Sequence, residues 1–226
     1  MNAMVKDVMT THVVAVRLNA TYKEMAARLR EFQVSAFPVL DDNNKVVGVV
    51  SEADMLAKEA LEYSVPGLMG GILHGREKAK AAAIVAADLM TKPAVTIGPR
   101  EPVSHAAKLM YSRKIKRLPV VDDDGHLIGI VTRADVLGVY SRPDAEIHRD
   151  IIEKVIIGTV LTDPARFAVT VMDGVVTVEG KPENASIGRD MIEEIRHVEG
   201  VVAVRDWLSY PPEPRSVQRT DMDLDF

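Results

Sequence analysis

The chain has no cysteine among its 226 residues. That excludes a disulfide framework, a thiolate zinc site, an iron–sulfur cluster and a cysteine nucleophile. Aromatic residues make up only 4%, too few to build the stacking platforms that hold single-stranded nucleic acid. Positive charge is short as well: 28 Lys and Arg stand against 33 Asp and Glu, a net charge of −5, so no nucleic-acid partner is expected. No apolar run approaches the roughly 18–20 residues of a membrane span. Residues 1–10 lack a basic start followed by an apolar core, so no signal peptide is read and the cytoplasm is the expected location. The six histidines are scattered. Without a nucleophile–base grouping, metal spacing or Gly-rich cofactor loop, no catalysis, cofactor or metal is expected. What is present is a globular composition, 47% apolar and 27% charged.

The strongest positive signal is an internal repeat. Shifted by about 81 positions, the chain matches itself without gaps. Asp7, Met9, Thr10 and Val14 recur as Asp88, Met90, Thr91 and Val95. Pro38, Val39, Asp41 and Asp42 recur as Pro119, Val120, Asp122 and Asp123, and Gly48, Val50, Ala53 and Asp54 as Gly129, Val131, Ala134 and Asp135. Each unit reads strand–helix–strand–strand–helix. In the first, a short strand is expected at 13–16, and Met25, Ala26, Leu29 and Phe32 have helical spacing. Strands at 37–40 and 46–50 flank an Asp-Asp-Asn-Asn turn, and a second helix opens at Ser51. One such unit buries little by itself, whereas two packed through their sheets are self-sufficient. The acidic runs Asp41-Asp42 and Asp122-Asp123-Asp124-Gly125 suit hairpin turns and lack the spacing of a calcium loop.

These motifs, in order and twice over, resemble the CBS domain family, whose members occur in tandem. The diagnostic pieces are Asp-(Val/Leu)-Met-Thr, Phe-Pro-Val-Leu-Asp or Leu-Pro-Val-Val-Asp, and the closing Gly48-Val49-Val50-Ser51-Glu52-Ala53-Asp54 and Gly129-Ile130-Val131-Thr132-Arg133-Ala134-Asp135. The closing motif ends a strand and opens a helix, which puts the hydroxyl of Ser51 or Thr132 at a helix N-terminus, a ready anion site. Asp54 or Asp135 then sits in the first turn, in place to accept ribose hydroxyls. The same pattern is also a helix-capping arrangement that needs no ligand, and the residues alone leave both readings open. The resemblance implies that AMP, ADP, ATP or a related adenosyl compound binds as a regulatory ligand in a cleft between the repeats. It carries Thr10, Val14, Thr91, Val95 and Pro119 into the candidate set beside the Ser/Thr–Asp pairs. Lys116 and Arg117, next to Pro119, and Arg133 are expected phosphate contacts, since Arg reaches phosphate bidentately. Arg113 and Lys114 are read as a solvated helix end. One well-equipped site, on the second repeat's motif, and one poorer site are therefore expected, with homodimers formed through the CBS pairs.

The repeat stops at Ser141-Arg142-Pro143. Beyond it, Ile147, Ile151, Ile152, Val155 and Ile156 mark one helix face, Asp173-Gly174 marks a hairpin, and Ile187, Met191, Ile192 and Ile195 mark a second helix with Asn184 near its start. A last strand is expected at 201–208. The run Val171–Gly180 and Gly200-Val201-Val202-Ala203-Val204 resemble the BON domain family, which implies a module that binds phospholipid or a protein partner. The fold class expected is α+β: a tandem CBS pair of two βαββα repeats followed by a small αββαβ BON-like domain. The expected boundaries are 1–62 for the first CBS repeat, 63–84 for a linker with a basic helix, 85–141 for the second repeat, 142–210 for the BON domain and 211–226 for a flexible acidic tail. Function is then expected to be nucleotide sensing relayed to the BON domain. The alternative is a constitutive scaffold or binding module whose CBS clefts stay empty.

Overall fold

A computed structural model describes residues 3–62 and 84–210 of the chain. The linker expectation at 63–84, apart from Ile84, and the tail expectation at 211–226 lie outside the described residues. The chain divides into two compact units, Ala3–Gly138 and the residues from Val139 onward.

The first unit runs α1 (Val5–Val8), β1 (Val16–Arg17), α2 (Tyr22–Phe32), β2 (Ala36–Leu40), β3 (Val46–Ser51) and α3 (Glu52–Glu62), then α4 (Ala86–Leu89), α5 (Val103–Arg113), β4 (Arg117–Val121), β5 (Leu127–Thr132) and α6 (Arg133–Gly138). β2 and β3 form an antiparallel pair, with β1 parallel to β2 at the edge. β4 and β5 pair in the same way, and Ile97 bridges in parallel to Val120 where β1 would stand. Both hairpin turns are tied by an aspartate. Asp41 Oδ1 accepts from the N–H groups of Asn43 and Lys45, and Asp122 Oδ1 from those of Asp124 and His126, all at 2.8–3.0 Å. The strand expected at 13–16 shrinks to β1, because only Val16 and Arg17 find partners on β2.

The 81-residue period reappears in the hydrogen bonding, and it joins the repeats rather than separating them. Thr10 and Ile130 exchange both backbone bonds, as do Thr91 and Val49. The first turn of α1 hangs on the second repeat, Val5 N–H to Glu101 and Lys6 N–H to Pro99 (both 2.9 Å), while Ala86 and Ala87 of α4 donate to Ala20 and Leu18 of the first (both 2.9 Å). Each repeat therefore lends its opening helix to the other. Ala86, Leu89 and Met90 belong to the same buried cluster as Met25, Phe37 and Val50. The sequence repeat is consequently not the packing unit. Gly48 and Gly129 allow the close crossing this demands: a Cβ on Gly48 would stand 2.4 Å from Met90 Sδ, and one on Gly129 would stand 2.6 Å from Met9 Sδ.

The second unit runs α7 (Asp144–Asp150), a π-helical stretch (Ile151–Ile157), β6 (Phe167–Met172), β7 (Val175–Gly180), α8 (Ala185–Arg196) and β8 (Ala203–Leu208). β6 and β7 are antiparallel, and β8 adds parallel to β7. Ile147, Ile151, Ile156, Val178, Met191 and Ile195 fill the core between helices and sheet. Asn184 caps α8, its Oδ1 accepting from Ile187 N–H (2.9 Å). The turn residues Asp173 and Gly174 both have positive φ, 51° and 73°, which suits a two-residue hairpin of the primed type. Asp144 pins that turn: Oδ2 accepts from Asp173 N–H (2.8 Å) and Oδ1 from Gly174 N–H (2.9 Å). The buried Asp150 is held by Arg142 (2.9 Å) and Lys154 (2.8 Å). The final strand begins at Ala203 rather than at 201, because Val201 and Val202 donate to the carbonyls of Val198 and Gly174 outside the ladder.

Candidate functional site

A cavity of about 260 Å³ opens at the junction of the two repeats. Its size is near the lower edge of small-molecule sites, roughly 300 Å³ upward, so it suits one small molecule. One wall is the end of β3 and the start of α3, carrying Ser51, Glu52 and Asp54. A second is the segment after α4, carrying Thr91, Pro93 and Val95. The third runs from the end of α5 into β4, with Lys114, Lys116 and Arg117. Ser35 and Ala36, at the entry to β2, complete it.

Ser51 ends β3 and immediately precedes α3. Its N–H (2.9 Å) and its hydroxyl (2.7 Å) both donate to Asp54 Oδ2. Glu52 N–H is taken by the carbonyl of Ser35 (3.1 Å), which ties the helix start to the strand entry beside it. The motif thus ties the helix start together and also lines the cavity with a hydroxyl-bearing and a carboxylate residue. α3 has 11 residues, enough for a positive N-terminal end that favours an anion. Cations balance the other wall. Arg117 is half-buried, and its Nη2 crosses from the second repeat to donate to Ser35 Oγ in the first. Burial pulls its guanidinium below the usual value, an effect partly opposed by the Glu52 carboxylate.

Of the twelve residues singled out in the sequence, Ser51, Asp54, Thr91, Val95, Lys116 and Arg117 line this cavity. Thr10, Val14, Pro119, Thr132, Arg133 and Asp135 do not. Thr132 and Asp135 repeat the capping geometry, Thr132 N–H and Oγ1 donating to Asp135 Oδ2 at 2.7 and 2.8 Å. The helix they open, α6, has only six residues. Arg133 is exposed, its Nε donating to the carbonyl of Ile115 (3.2 Å). Pro119 is buried in β4 opposite Ile130. The side chains of Lys116 and Arg117 therefore share a cavity with the first repeat's closing motif, while Arg133 stays with its own. Lys114, read as part of a solvated helix end, lines the cavity. Ser35 and Glu52 also line the cavity, and the only sequence signal for either is its counterpart at +81, Lys116 and Arg133. In the β4–β5 turn, ligand-type atoms of Asp122, Asp124 and His126 lie within 4.8 Å of one another. The Asp122 carboxyl is held below its usual range chiefly by the His126 backbone N–H, the bond that closes the turn.

The chain belongs to the CBS domain family, whose model matches residues 5–60 and 85–142; this is a tandem CBS pair. It is 32% identical over 133 residues to the chloroplastic CBS domain-containing protein CBSX1 of Arabidopsis thaliana. The chain spans about half the length of such curated relatives, 56% of CBSX1 and 53% of a Methanopyrus kandleri protein. The crystal structure of CBSX2 in complex with AMP shares 32% identity with it at a TM-score of 0.52, over 60% of this chain and 94% of that one. The CBS pair of protein MJ0100, solved with 5′-methylthioadenosine and S-adenosyl-L-methionine, shares 25% identity at a TM-score of 0.50, over 61% and 99%. Among the described residues no helix is long and apolar enough to cross a membrane.

Proposed function

We propose that this chain is a regulatory sensor of an adenosyl ligand, AMP, ADP or ATP, bound in the cavity between its two CBS repeats. The observation that carries this reading is the convergence of Ser51 and Asp54 from one repeat with Thr91, Lys116 and Arg117 from the other around one cavity. A hydroxyl at a helix N-terminus and cations suit a phosphate, and a carboxylate three residues on suits a ribose. A ligand held by both repeats favours one arrangement of them over another, which is what a relay requires. The AMP complex of CBSX2 supports the ligand class. The Thr132–Asp135 motif is then a cap with at most a weaker site.

The second unit is proposed to be a BON-type interaction module that answers to the CBS pair in a cytoplasmic homodimer. Support comes from its αββαβ order, its Asp173-Gly174 hairpin and an outer sheet face that exposes Met172, Arg205 and Trp207. The competing reading is a constitutive scaffold, favoured by the fact that each Asp carboxylate already accepts from the N–H and hydroxyl of its own Ser or Thr.

Calorimetric titration separates the two. Protein verified free of nucleotide is titrated with AMP, ADP, ATP, S-adenosylmethionine and 5′-methylthioadenosine. Saturable binding of one or more of them near one equivalent per chain supports the sensor. No heat and no thermal shift with any of the five overturns it and leaves the scaffold.

A further inference from the structure

Leu56 on α3 and Leu137 on α6 stand at the same position of the two repeats, and both face solvent, 68% and 65% exposed. Scattered exposed leucines are ordinary, but here both copies carry one at the same helical site. The charges around the two are inverted. On α3, Glu52 and Glu59 lie four residues before and three after Leu56, on its face of the helix, and both are exposed. On α6, the residue four before Leu137 is Arg133, the counterpart of Glu52, and it is exposed as well. Arg133 Nε reaches the carbonyl of Ile115 (3.2 Å), which sets it near Arg113 and Lys114, exposed at the end of α5. Both patches border the cavity, since Glu52 and Ile115 line it. One patch is a leucine among acids and the other a leucine among bases.

We infer that these two patches are the contact surface for a second copy of the chain, and that each meets its opposite: the Leu56 patch of one chain lies on the Leu137 patch of the other. The inference deepens the homodimer reading above and rests on it. A single exposed ion pair adds little affinity; what charge decides is which faces can meet. Like patches meeting would set Glu52 and Glu59 against their own copies, and Arg113, Lys114 and Arg133 against theirs. Unlike patches meeting gives acid to base at both contacts. A two-fold axis makes the second contact a copy of the first, so the assembly closes at two chains. The two leucines supply apolar surface at each contact.

The chain has no cysteine, so introduced cysteines report the arrangement directly. Full-length Leu56→Cys and Leu137→Cys, free of nucleotide, are treated with a short bismaleimide linker, each alone and as a mixture. The mixture should give cross-linked dimers in roughly tenfold excess over either variant alone. Sedimentation provides the second measurement, with melting to check that each variant is folded. Glu52→Arg should weaken the dimer roughly tenfold, and so should Glu59→Arg, which does not line the cavity. Adding Arg133→Glu to Glu52→Arg should recover most of that loss, because acid and base have only changed sides. Efficient cross-linking of either cysteine variant alone, or a double exchange that recovers nothing, would overturn the inference while leaving the homodimer reading intact. A wild type that sediments as a monomer at high micromolar concentration would overturn both.

Discussion

The duplicated closing motif allows its two roles to be separated within one molecule. Asp54→Ala and Asp135→Ala remove the same cap: each carboxylate accepts from the N–H and hydroxyl of the preceding Ser or Thr, at 2.9 and 2.7 Å in one case and 2.7 and 2.8 Å in the other. Loss of a cap costs about 1 kcal/mol, which for a unit of this size lowers Tm by roughly 3–5 °C. Both variants should therefore lose similar stability without ligand. Their binding should differ, because only Asp54 lines the cavity. A hydrogen bond to a charged group contributes about 1.5–3 kcal/mol. Since Asp54 Oδ2 already holds both Ser51 donors, the net loss on truncation is counted as one such bond. That corresponds to a Kd for AMP weakened roughly 10- to 150-fold. Asp135→Ala should leave Kd within about threefold of the wild type. Calorimetry gives the affinities and differential scanning of the ligand-free proteins gives the caps. If the two variants lose affinity equally, or if Asp54→Ala loses none while its Tm falls as expected, the assignment of the ligand to the Ser51–Asp54 side is wrong.

Three further outcomes follow from packing and charge. Gly48→Ala sets a Cβ 2.4 Å from Met90 Sδ and 3.0 Å from Met90 Cβ; such overpacking costs about 1–3 kcal/mol, and an unchanged urea midpoint would show that the crossing has slack. Asp144→Ala leaves the N–H groups of Asp173 and Gly174 without their carboxylate and should cost the second unit about 1–2 kcal/mol. Trp207, the single tryptophan of the chain, lies on β8 and reports that unit by fluorescence. Burial raises the Asp150 carboxyl, but the bonds from Lys154 and Arg142 outweigh it and hold the group below its usual range. A depressed folded value means that its contribution is present above the unfolded value, about pH 4, and is lost as pH falls through the folded one. Acid titration followed at Trp207 should show this loss, and Asp150→Asn should flatten it.

Local chemistry was legible in the sequence, while partnership was not. The Asp41 and Asp122 turns, the Asn184 cap and the Asp173-Gly174 hairpin follow from residues a few positions apart, and each was readable. The period of 81 also foretold which backbone groups would correspond. What the period could not say is whether a group bonds within its own repeat or across. Swapping α1 and α4 between copies preserves every local signal and changes only which repeat supplies the acceptor, Glu101 for Val5 and Ala20 for Ala86. The cross-copy reach of Arg117 has the same origin. Adjacency suggested that it served Thr132 and Asp135, its partners in the same copy, and in the backbone it does stand opposite Thr132. A guanidinium, however, reaches several ångströms past its strand, and this one ends at Ser35 of the other copy.

That reach places a cation of one copy beside the closing motif of the other. The two closing motifs share backbone bonds such as Glu52 to Ser35 and Arg133 to Lys116, both 3.1 Å, but open helices of 11 and six residues. Side chains around them differ as well: Ala36 against Arg117, Glu52 against Arg133, and His12 against Pro93. The described cavity is walled by both copies, so one long cation placed in one copy changes the cleft capped by the other. Exchanging the residues at positions 36 and 117, as an Ala36→Arg, Arg117→Ala double variant, should carry the cationic wall to the Thr132–Asp135 side. If AMP binding then depends on Asp135 rather than Asp54, the side chains alone choose the site. If binding is lost, or still depends on Asp54, the backbone clefts differ in a way that the shared hydrogen bonds do not reveal.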